Sequence, residues 1–180
     1  MDEPDPQVVA AARAGSLEAF EDLVRHYQGD AWRLAFHLLH DHSLADDVTQ
    51  DAFVRVFRFL PRYRGESKFS TWLFSIVRNC AMDELRRAGR RSVATRRARA
   101  GEAPLATDPG TRIEVKEALA ALPLDLREPV VMIDMFGMSY REVGAVLGIP
   151  EGTVKSRVHR ARSTLAGMLS PAHEETTGEA

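Results

Sequence analysis

The stretch SYREVGAVLGIPEGTVKSRVHRAR, residues 139–162, decides how the C-terminal part of the chain folds. Ser139 and Glu142 have the spacing of a capping box, in which each side chain satisfies a free backbone N–H at the start of a helix. Gly148 is typical of a helix C-terminus, and Pro150 suits the first turn of a following helix. The stretch therefore predicts a helix, a tight turn and a second helix.

The second of these helices has an apolar back and a cationic front. At about 100° per residue, Val154, Val158, Ala161 and Leu165 fall on one apolar stripe. A surface helix with solvated charges can share this pattern, but the cap and the glycine turn favour a helix-turn-helix, which places such a helix in the major groove of DNA. Its cations and hydroxyl groups can bond to guanine edges and phosphates. We therefore predict duplex DNA binding by Thr153, Lys155, Ser156, Arg157, His159, Arg160 and Arg162.

The composition is that of a globular protein that can form a core without disulfides. The chain has 180 residues, a formal net charge of −2 at pH 7 and one cysteine, Cys80. A lone cysteine cannot form an internal disulfide, which fits a reducing cytosol. No apolar run reaches membrane-spanning length, and the acidic N-terminus lacks the features of a signal peptide. We therefore expect a soluble, cytoplasmic protein with no membrane insertion.

Apolar residues recur at helical spacing along most of the chain, which predicts an all-α fold. Besides the helix-turn-helix, the predicted helices cover residues 5–14, 17–40, 43–60, from 70 or 71 to about 87, 111–122 and 127–135. Gly29-Asp30 interrupts or kinks the second of these helices. Ser43 with Asp46 is the predicted capping box of the third helix, and Ser70 or Thr71 caps the fourth.

These helices divide the chain into two small helical domains joined by a flexible linker. The first domain covers residues 1–87 and the second residues 111–170, where helix 127–135 packs behind the helix-turn-helix. Residues 88–110 are rich in Arg, Ala, Gly, Ser and Thr and are interpreted as a flexible or partly helical basic linker. Residues 171–180 are polar and acidic, and we expect a disordered tail.

Helix 43–60 carries a polar face that includes one valine. A solvated surface is the default interpretation of such a face. Its mixture of carboxylates, an amide and an exposed valine also suits docking onto a basic partner. The residues of this face are Asp47, Gln50, Asp51, Val54 and Arg58.

The segment RYRGESKF, residues 62–69, mixes cations with aromatic residues, and Arg78 and Asn79 follow it. Cations can meet the phosphates of single-stranded nucleic acid while rings stack on unpaired bases. The better candidates for such contacts are Tyr63, Lys68, Phe69 and Asn79. Of Trp72 and Phe74, at least one is expected in the core because of their helical spacing.

The sequence has no constellation of residues typical of an enzyme. It contains no Gly-rich phosphate loop, nucleophile elbow or paired-cysteine metal motif, and no cofactor is implied. His37, His40 and His42 cluster near a helix end, but without spaced cysteines we predict no metal site there. Cys80 is interpreted as a small buried hydrophobe.

Three segments, taken in order, match the motifs of a known family. ADDVTQDAFVRVF, residues 45–57, resembles the region with which bacterial RNA polymerase sigma factors bind core polymerase. YRGESKFSTWL, residues 63–73, together with Arg78 and Asn79, resembles their promoter-melting region. Residues 137–162 resemble their C-terminal helix-turn-helix. Two domains and a linker are the layout of the extracytoplasmic-function (ECF) subgroup.

The resemblance implies a promoter-specificity subunit with two DNA-reading sites. Its partners would be promoter DNA, core RNA polymerase through the β′ clamp and the β flap, and an anti-sigma factor that covers the binding faces. It implies that Asp47, Gln50 and Asp51 bind the clamp. It also implies that Lys155, Ser156, His159 and Arg160 read the minus-thirty-five element. The residues implied for a flipped base and the backbone of the minus-ten element are Arg62, Tyr63, Lys68, Phe69, Arg78, Asn79, Asp83, Arg86 and Arg87.

Two other functions stay open on the sequence. A stand-alone helix-turn-helix regulator would bind duplex DNA without polymerase, as a symmetric dimer on a palindromic operator. The sequence shows no obvious dimerisation helix for that role. A protein-interaction module would instead use the basic faces to bind acidic partners.

Overall fold

The structure, a computed structural model, is all-α. It describes residues 3–98 and 115–169, with the backbone alone over residues 91–98. The elements within these ranges are α1 (Pro6–Arg13), α2 (Leu17–Leu39), α3 (His42–Phe59), a single 3-10 turn (Leu60–Arg62), α4 (Phe69–Ala98), α5 (Val115–Ala121), α6 (Leu124–Asp134), α7 (Tyr140–Leu147) and α8 (Glu151–Leu169). The predicted fold class is confirmed.

Helices α1 to α4, the N-terminal helices, enclose one apolar core. α2 contacts α1, α3 and α4. Tyr27 and Leu34 of α2 and Leu73 and Phe74 of α4 are fully buried, each with 0% of its surface exposed. Burying a large apolar side chain contributes roughly 1.5–3 kcal/mol, so these contacts fix α4 firmly to the bundle. Phe74 is therefore a core residue, as predicted for at least one of the two aromatic residues there.

Helix α2 is continuous through Gly29-Asp30, which excludes an interruption, the first of the two predicted alternatives. Tyr27 and Ala31, on either side of the pair, are both fully buried. Tertiary packing of this face outweighs the cost of about 1 kcal/mol that a glycine adds within a helix.

Helix α3 is capped by Asp41 and not by the predicted Ser43. The Asp41 carboxylate accepts a hydrogen bond from the backbone N–H of Leu44 at 2.9 Å. Aspartate and serine are equally good N-caps. The choice between them follows from His40, whose left-handed φ of 55° ends α2 and leaves Asp41 as the first extended residue.

Helix α4 begins at Phe69, and its cap comes from the distant residue Glu3. The Glu3 carboxylate accepts hydrogen bonds from the Phe69 backbone N–H at 3.0 Å and from the Ser70 hydroxyl. The prediction that Ser70 or Thr71 caps this helix is wrong, because a cap that lies 66 residues away leaves no trace in local spacing. α4 then continues to Ala98, so the first part of the predicted linker is helical.

Helices α5 to α8, the C-terminal helices, pack their buried apolar side chains into the same continuous core. α6 begins at Leu124, directly after Pro123 and earlier than predicted, and it contains Pro129. α6 contacts both α7 and α8, which confirms that it packs behind the helix-turn-helix. The rest of the predicted linker, the start of the predicted helix 111–122 and the tail lie outside the described residues.

The N-terminal and C-terminal helices contact each other directly. α4 contacts α7, and α2 contacts α6. The rings of Phe74 and Phe136 meet edge-on with their centroids 5.0 Å apart. The Arg127 guanidinium donates to the backbone carbonyl of Leu38 at 3.3 Å. None of the helices in the described part of the chain is both long and apolar enough to cross a membrane.

Candidate nucleic-acid interface

The turn between α7 and α8 has the predicted helix-turn-helix geometry. The Ser139 N–H donates to the Glu142 carboxylate at 2.7 Å, and the Glu142 N–H donates to the Ser139 hydroxyl at 3.3 Å. Gly148 ends α7 with a left-handed φ of 68°. Both of these predictions are confirmed. Pro150 lies just before α8 and not in its first turn, and its carbonyl accepts the Thr153 N–H at 2.9 Å.

Gly144 lets the two helices approach closely. A Cβ atom at this position would lie 2.9 Å from the carbonyl oxygen of Ile149, closer than Cβ atoms come in real structures. From the sequence alone, Gly144 is recognised only as a residue with low helix propensity. Its importance comes from the α7–α8 turn folding back over it.

The cationic front of α8 faces solvent. In the stripe behind it, Val154, Val158 and Ala161 are buried as predicted, at most 1% exposed, while Leu165 is half-buried. Of the seven predicted contact residues, two are half-buried, Thr153 and Arg157. The other five are exposed: Lys155, Ser156, His159, Arg160 and Arg162. All seven therefore keep at least part of their surface available to a ligand.

Two cations of this front are paired with carboxylates of the C-terminal helices. Lys155 Nζ lies 2.7 Å from Glu151 Oε1, and Arg162 Nε donates to Asp134 at 3.1 Å. These hydrogen bonds raise the pKa values of Lys155 and Arg162. Exposed ion pairs contribute about 0–1 kcal/mol, so a nucleic-acid phosphate can displace either carboxylate.

A hollow of about 510 Å³ lies on the same front. Lys155 Nζ stands 5.7 Å from the centre of the Tyr140 ring. Tyr140 and Ser163 add hydroxyl groups beside the cations, and neither was predicted. Tyr140 belongs to α7, so only the packing of the two helices brings it here. The hollow is lined by Tyr140, Lys155, His159, Arg162 and Ser163.

The residues before α4 are divided between surface and core. Lys68 and Arg62 are exposed, and Tyr63 is half-buried with its hydroxyl donating to the Ser67 carbonyl at 2.6 Å. Burial raises the pKa of the Tyr63 phenol. Phe69, in contrast, is only 3% exposed and packs against Tyr63, Tyr27 and Trp72. Its predicted contact with a base is therefore corrected to a role in the core beneath the segment.

Most predicted single-strand residues of α4 already have ionic partners. Asp83 accepts from Arg55 and from Arg86, each at 3.1 Å. Arg87 is 3.3 Å from Glu84. Arg78 is held in a two-bond contact with Glu128 of α6, at 2.7 and 3.3 Å. Arg78 is therefore not on open surface in this arrangement, whereas Asn79, Arg86 and Arg87 are exposed.

The polar face of α3 is on the surface, as predicted. Asp47, Gln50, Asp51, Val54 and Arg58 are all exposed, with Val54 at 51%. Phe57, at 49% exposed, adds an aromatic ring that was not predicted. Its edge-on contact with Phe20 of α2, at 5.0 Å, extends the apolar part of the face.

A hollow of about 290 Å³ lies between this face and α4, lined by Asp47, Val48, Gln50, Asp51, Cys80, Glu84 and Arg87. Cys80 is 3% exposed, and burial raises the pKa of its thiol, which agrees with its interpretation as a small hydrophobe. The described residues contain no group of three or more His, Cys, Asp or Glu side chains able to hold a metal.

Two family models match the chain. The model for Sigma-70 region 2 matches residues 23–91, which include the polar face of α3 and most of α4. The model for Sigma-70 region 4 matches residues 112–165, which include the helix-turn-helix.

Curated relatives match over nearly the whole chain. The ECF RNA polymerase sigma factor SigC of Mycobacterium tuberculosis is 35% identical, over 98% of this chain and 96% of that protein. SigE of Mycolicibacterium smegmatis is 34% identical, over 99% of this chain and 73% of that protein.

Two solved structures resemble the fold described above. One is the sigma factor RpoE with the anti-sigma factor NepR from Bartonella quintana, with a TM-score of 0.72, 27% identity and coverage of 85% of this chain and 98% of that one. The other is CnrH with the cytosolic domain of CnrY, with a TM-score of 0.69, 30% identity and coverage of 91% and 95%. The chain therefore belongs to the ECF family of RNA polymerase sigma factors and directs promoter-specific transcription initiation.

Proposed function

We propose that this sigma factor reads its promoter at two places while α3 holds it on core RNA polymerase. The observation that carries the proposal is that three separate surfaces of suitable chemistry lie on three different parts of the fold. They are the acidic and apolar face of α3, the cationic segment at the start of α4, and the cationic front of α8.

The face of α3 suits the polymerase contact. Asp47 and Asp51 offer carboxylates, while Val54 and Phe57 offer apolar area that water would otherwise cover. A partner with cations around an apolar centre fits this face, because interfaces commonly combine a buried apolar core with a polar rim. We assign it to the clamp of the β′ subunit, and we assign the C-terminal helices to the flap of the β subunit.

The start of α4 suits a melted strand of the minus-ten element. Lys68 and Arg62 can bind phosphates, and so can Arg78 once it has left Glu128. Tyr63 and Asn79 can meet a base that has left the stack. The Asp83 carboxylate accepts hydrogen bonds from Arg55 and Arg86, so it places a hydrogen-bond acceptor next to these two donors. Phe69 supports the segment from beneath.

The front of α8 suits the duplex of the minus-thirty-five element. Ser156, His159 and Arg160 are the exposed side chains near the centre of the helix front and are assigned to base edges. Lys155 and Arg162, which line the hollow with Tyr140, are assigned to phosphates.

An anti-sigma factor is the proposed regulatory partner. RpoE is seen with the anti-sigma factor NepR, and CnrH is seen with the cytosolic domain of CnrY. The exposed Val54 and Phe57 give a protein partner an apolar surface, and a protein bound there would exclude the polymerase.

Run-off transcription with core polymerase tests the polymerase contact. We expect Asp51→Lys to reduce promoter-dependent transcript at least tenfold, since it reverses charge in the centre of the α3 face. Asp22→Lys is the matched control, because Asp22 is exposed on α2 and paired with Arg25. Equal transcription by both variants would remove α3 from the polymerase interface.

A gel shift without polymerase separates this function from that of a stand-alone regulator. Tight, sequence-specific duplex binding by the protein alone would favour the regulator. We expect the specific complex to form only with core polymerase, since the chain then presents both reading sites together.

A further inference from the structure

Two cations assigned to the melted strand are already paired with carboxylates of the C-terminal helices. Arg78 Nε lies 2.7 Å from Glu128 Oε1, and Arg78 Nη2 lies 3.3 Å from Glu128 Oε2. Lys68 Nζ lies 2.8 Å from Glu142 Oε1. These contacts tie the start of α4 and its first turns to α6 and α7.

The Arg78–Glu128 pair is withdrawn from solvent. The two side chains retain only 22% and 6% of their exposure. Ions taken out of water need a partner with good geometry, and a two-bond arginine–carboxylate contact provides one. The pair therefore favours the state in which α4 and α6 touch, since removing one partner leaves the other charge buried without compensation.

An apolar contact accompanies the ion pairs. Phe74 of α4 is 0% exposed and Phe136, just after α6, is 5% exposed. Their rings meet at 78° with centroids 5.0 Å apart, a favourable edge-to-face arrangement. Separating the two groups of helices would expose both rings to water.

Glu142 connects this contact surface to the helix-turn-helix. The same carboxylate accepts from the Ser139 N–H and hydroxyl, each at 2.7 Å, and from Lys68. Burial raises the pKa of Glu142, but the hydrogen bonds from Lys68 and Ser139 outweigh it and lower the pKa to about 2. The carboxylate is thus ionised at neutral pH, as a partner for a lysine must be.

We propose that these three contacts, the interdomain latch (Arg78–Glu128, Lys68–Glu142 and Phe74–Phe136), occupy two cations of the strand-binding surface of the free sigma factor with carboxylates of its own C-terminal helices. This inference rests on the proposed function, because it takes Lys68 and Arg78 as ligands of the melted strand. A carboxylate and a phosphate cannot occupy the same donor atoms at the same time. Strand binding and the closed latch are therefore mutually exclusive, and each weakens the other by the same factor.

The test is to remove the latch charges from the full-length chain without touching the DNA ligands. Glu128→Gln keeps the shape and hydrogen-bonding capacity of the side chain but leaves Arg78 without its counter-charge. Glu142→Gln spares the capping box, since glutamine serves at that position as well as glutamate. Glu117→Gln is the control, because Glu117 is exposed on α5.

Small-angle scattering and strand affinity give two independent readouts. A compact chain of this length has a radius of gyration of about 16 Å. We expect the Glu128→Gln, Glu142→Gln double variant to be several ångströms larger, and to bind a fluorescein-labelled 20-nucleotide single strand at least fivefold more tightly than wild type. The control should match wild type in both.

Two results would overturn the latch. One is a double variant with the radius of gyration of wild type. The other is a double variant that expands without binding the strand more tightly, since the C-terminal helices would then not compete with DNA. Failure of the proposed function looks different: neither wild type nor variant would give promoter-dependent transcript with core polymerase, whatever the scattering shows.

Discussion

The two regions that we propose read DNA are built in different ways. The helix-turn-helix comes from two consecutive helices, and its paired cations, Lys155 and Arg162, find their carboxylates within the C-terminal helices. The single-strand region draws its cap from Glu3 and the partners of Lys68 and Arg78 from the other half of the molecule. The DNA-facing front of the first region is therefore self-contained within the C-terminal helices, whereas the second region depends on tertiary contacts for its shape and its accessibility.

This difference predicts how each region fails. A self-contained motif is broken by local changes in its own turn and front. A region shaped by distant contacts is also altered by changes far from it in the sequence. One such change is protonation at the junction of the two halves, where the N-terminal and C-terminal helices meet.

The largest effect is expected from Gly144→Val. The added Cβ would lie 2.9 Å from the Ile149 carbonyl oxygen, and the branched side chain cannot avoid it by rotation. Overpacking of this kind costs roughly 1–3 kcal/mol or more, and here it also displaces α8. We expect at least a hundredfold loss of minus-thirty-five-dependent transcription and a lower melting temperature by circular dichroism.

Gly152→Ala is the control for that variant. Nothing lies within 4 Å of a Cβ at Gly152, which is in the first turn of α8. Alanine there should keep or raise stability, by up to about 1 kcal/mol. A Gly144→Val protein as stable and active as this control would show that the α7–α8 turn tolerates a wider separation.

The next effect is expected from Arg160→Ala. Arg160 is exposed on the centre of the α8 front, away from the buried stripe. Losing an arginine contact to a guanine edge costs about 1–3 kcal/mol, or roughly five- to 150-fold in promoter binding by the holoenzyme. Competition with promoters changed one base pair at a time measures it, and we expect selectivity to relax at one position.

Arg25→Ala is the matched surface control. Arg25 is exposed on α2 and pairs only weakly with Glu21 and Asp22. It should leave promoter binding unchanged. If Arg160→Ala instead weakens binding equally for every promoter variant, Arg160 contacts phosphate and reads no base.

The sequence predicted the self-contained region far better than the other. Ser139, Glu142 and Gly148 act through neighbours a few residues away, and the stripe of Val154 and Val158 follows directly from helical period. In contrast, the sequence shows Phe69 only as an aromatic residue in a cationic segment. The fold was needed to show that it packs against Tyr27.

Contacts between residues far apart in the sequence could not be predicted at the start of α4 or between α4 and α6. A local pattern contains no information on whether Glu3 reaches the start of α4 or Glu128 reaches Arg78. The fold class could be predicted without these contacts, because it depends on apolar periodicity summed over whole helices.

A smaller effect is expected from pH at the junction of the two halves. Burial, aided by Arg127, His37 and Lys116, lowers the pKa of His40 from 6.5 to about 4. Burial, aided by Arg33 and Lys116, also lowers that of His37. Such groups take up protons more readily when released, so the folded, closed state loses stability as pH falls from 6.5 towards 4. We expect a loss of about 1 kcal/mol at pH 5 after solvent screening.

Urea unfolding of His40→Asn at pH 7.5 and pH 5 measures that loss. Asparagine suits the left-handed backbone of position 40 and cannot titrate. The variant should therefore lose less stability between the two pH values than wild type. His26→Asn, at an exposed position on α2, is the control. Identical pH dependence in both variants would exclude His40 as the group that titrates.

The smallest effect is expected from Asp134→Asn, which asks whether the helix-turn-helix is as self-contained as its contacts suggest. The change removes the carboxylate 3.1 Å from Arg162 Nε. Because both side chains are about half exposed, stability should fall by no more than about 1 kcal/mol. Arg162 would then be free to turn towards a phosphate, and one negative charge beside the DNA would be gone. We expect promoter binding by the holoenzyme to tighten two- to fivefold, and to depend more steeply on salt as one more cation engages the backbone.

The matched control is Asp125→Asn, at an exposed position at the start of α6, which should change neither stability nor promoter binding. If Asp134→Asn weakens binding instead, Asp134 positions Arg162 for DNA, and the ion pair is part of the bound state as well as of the free one.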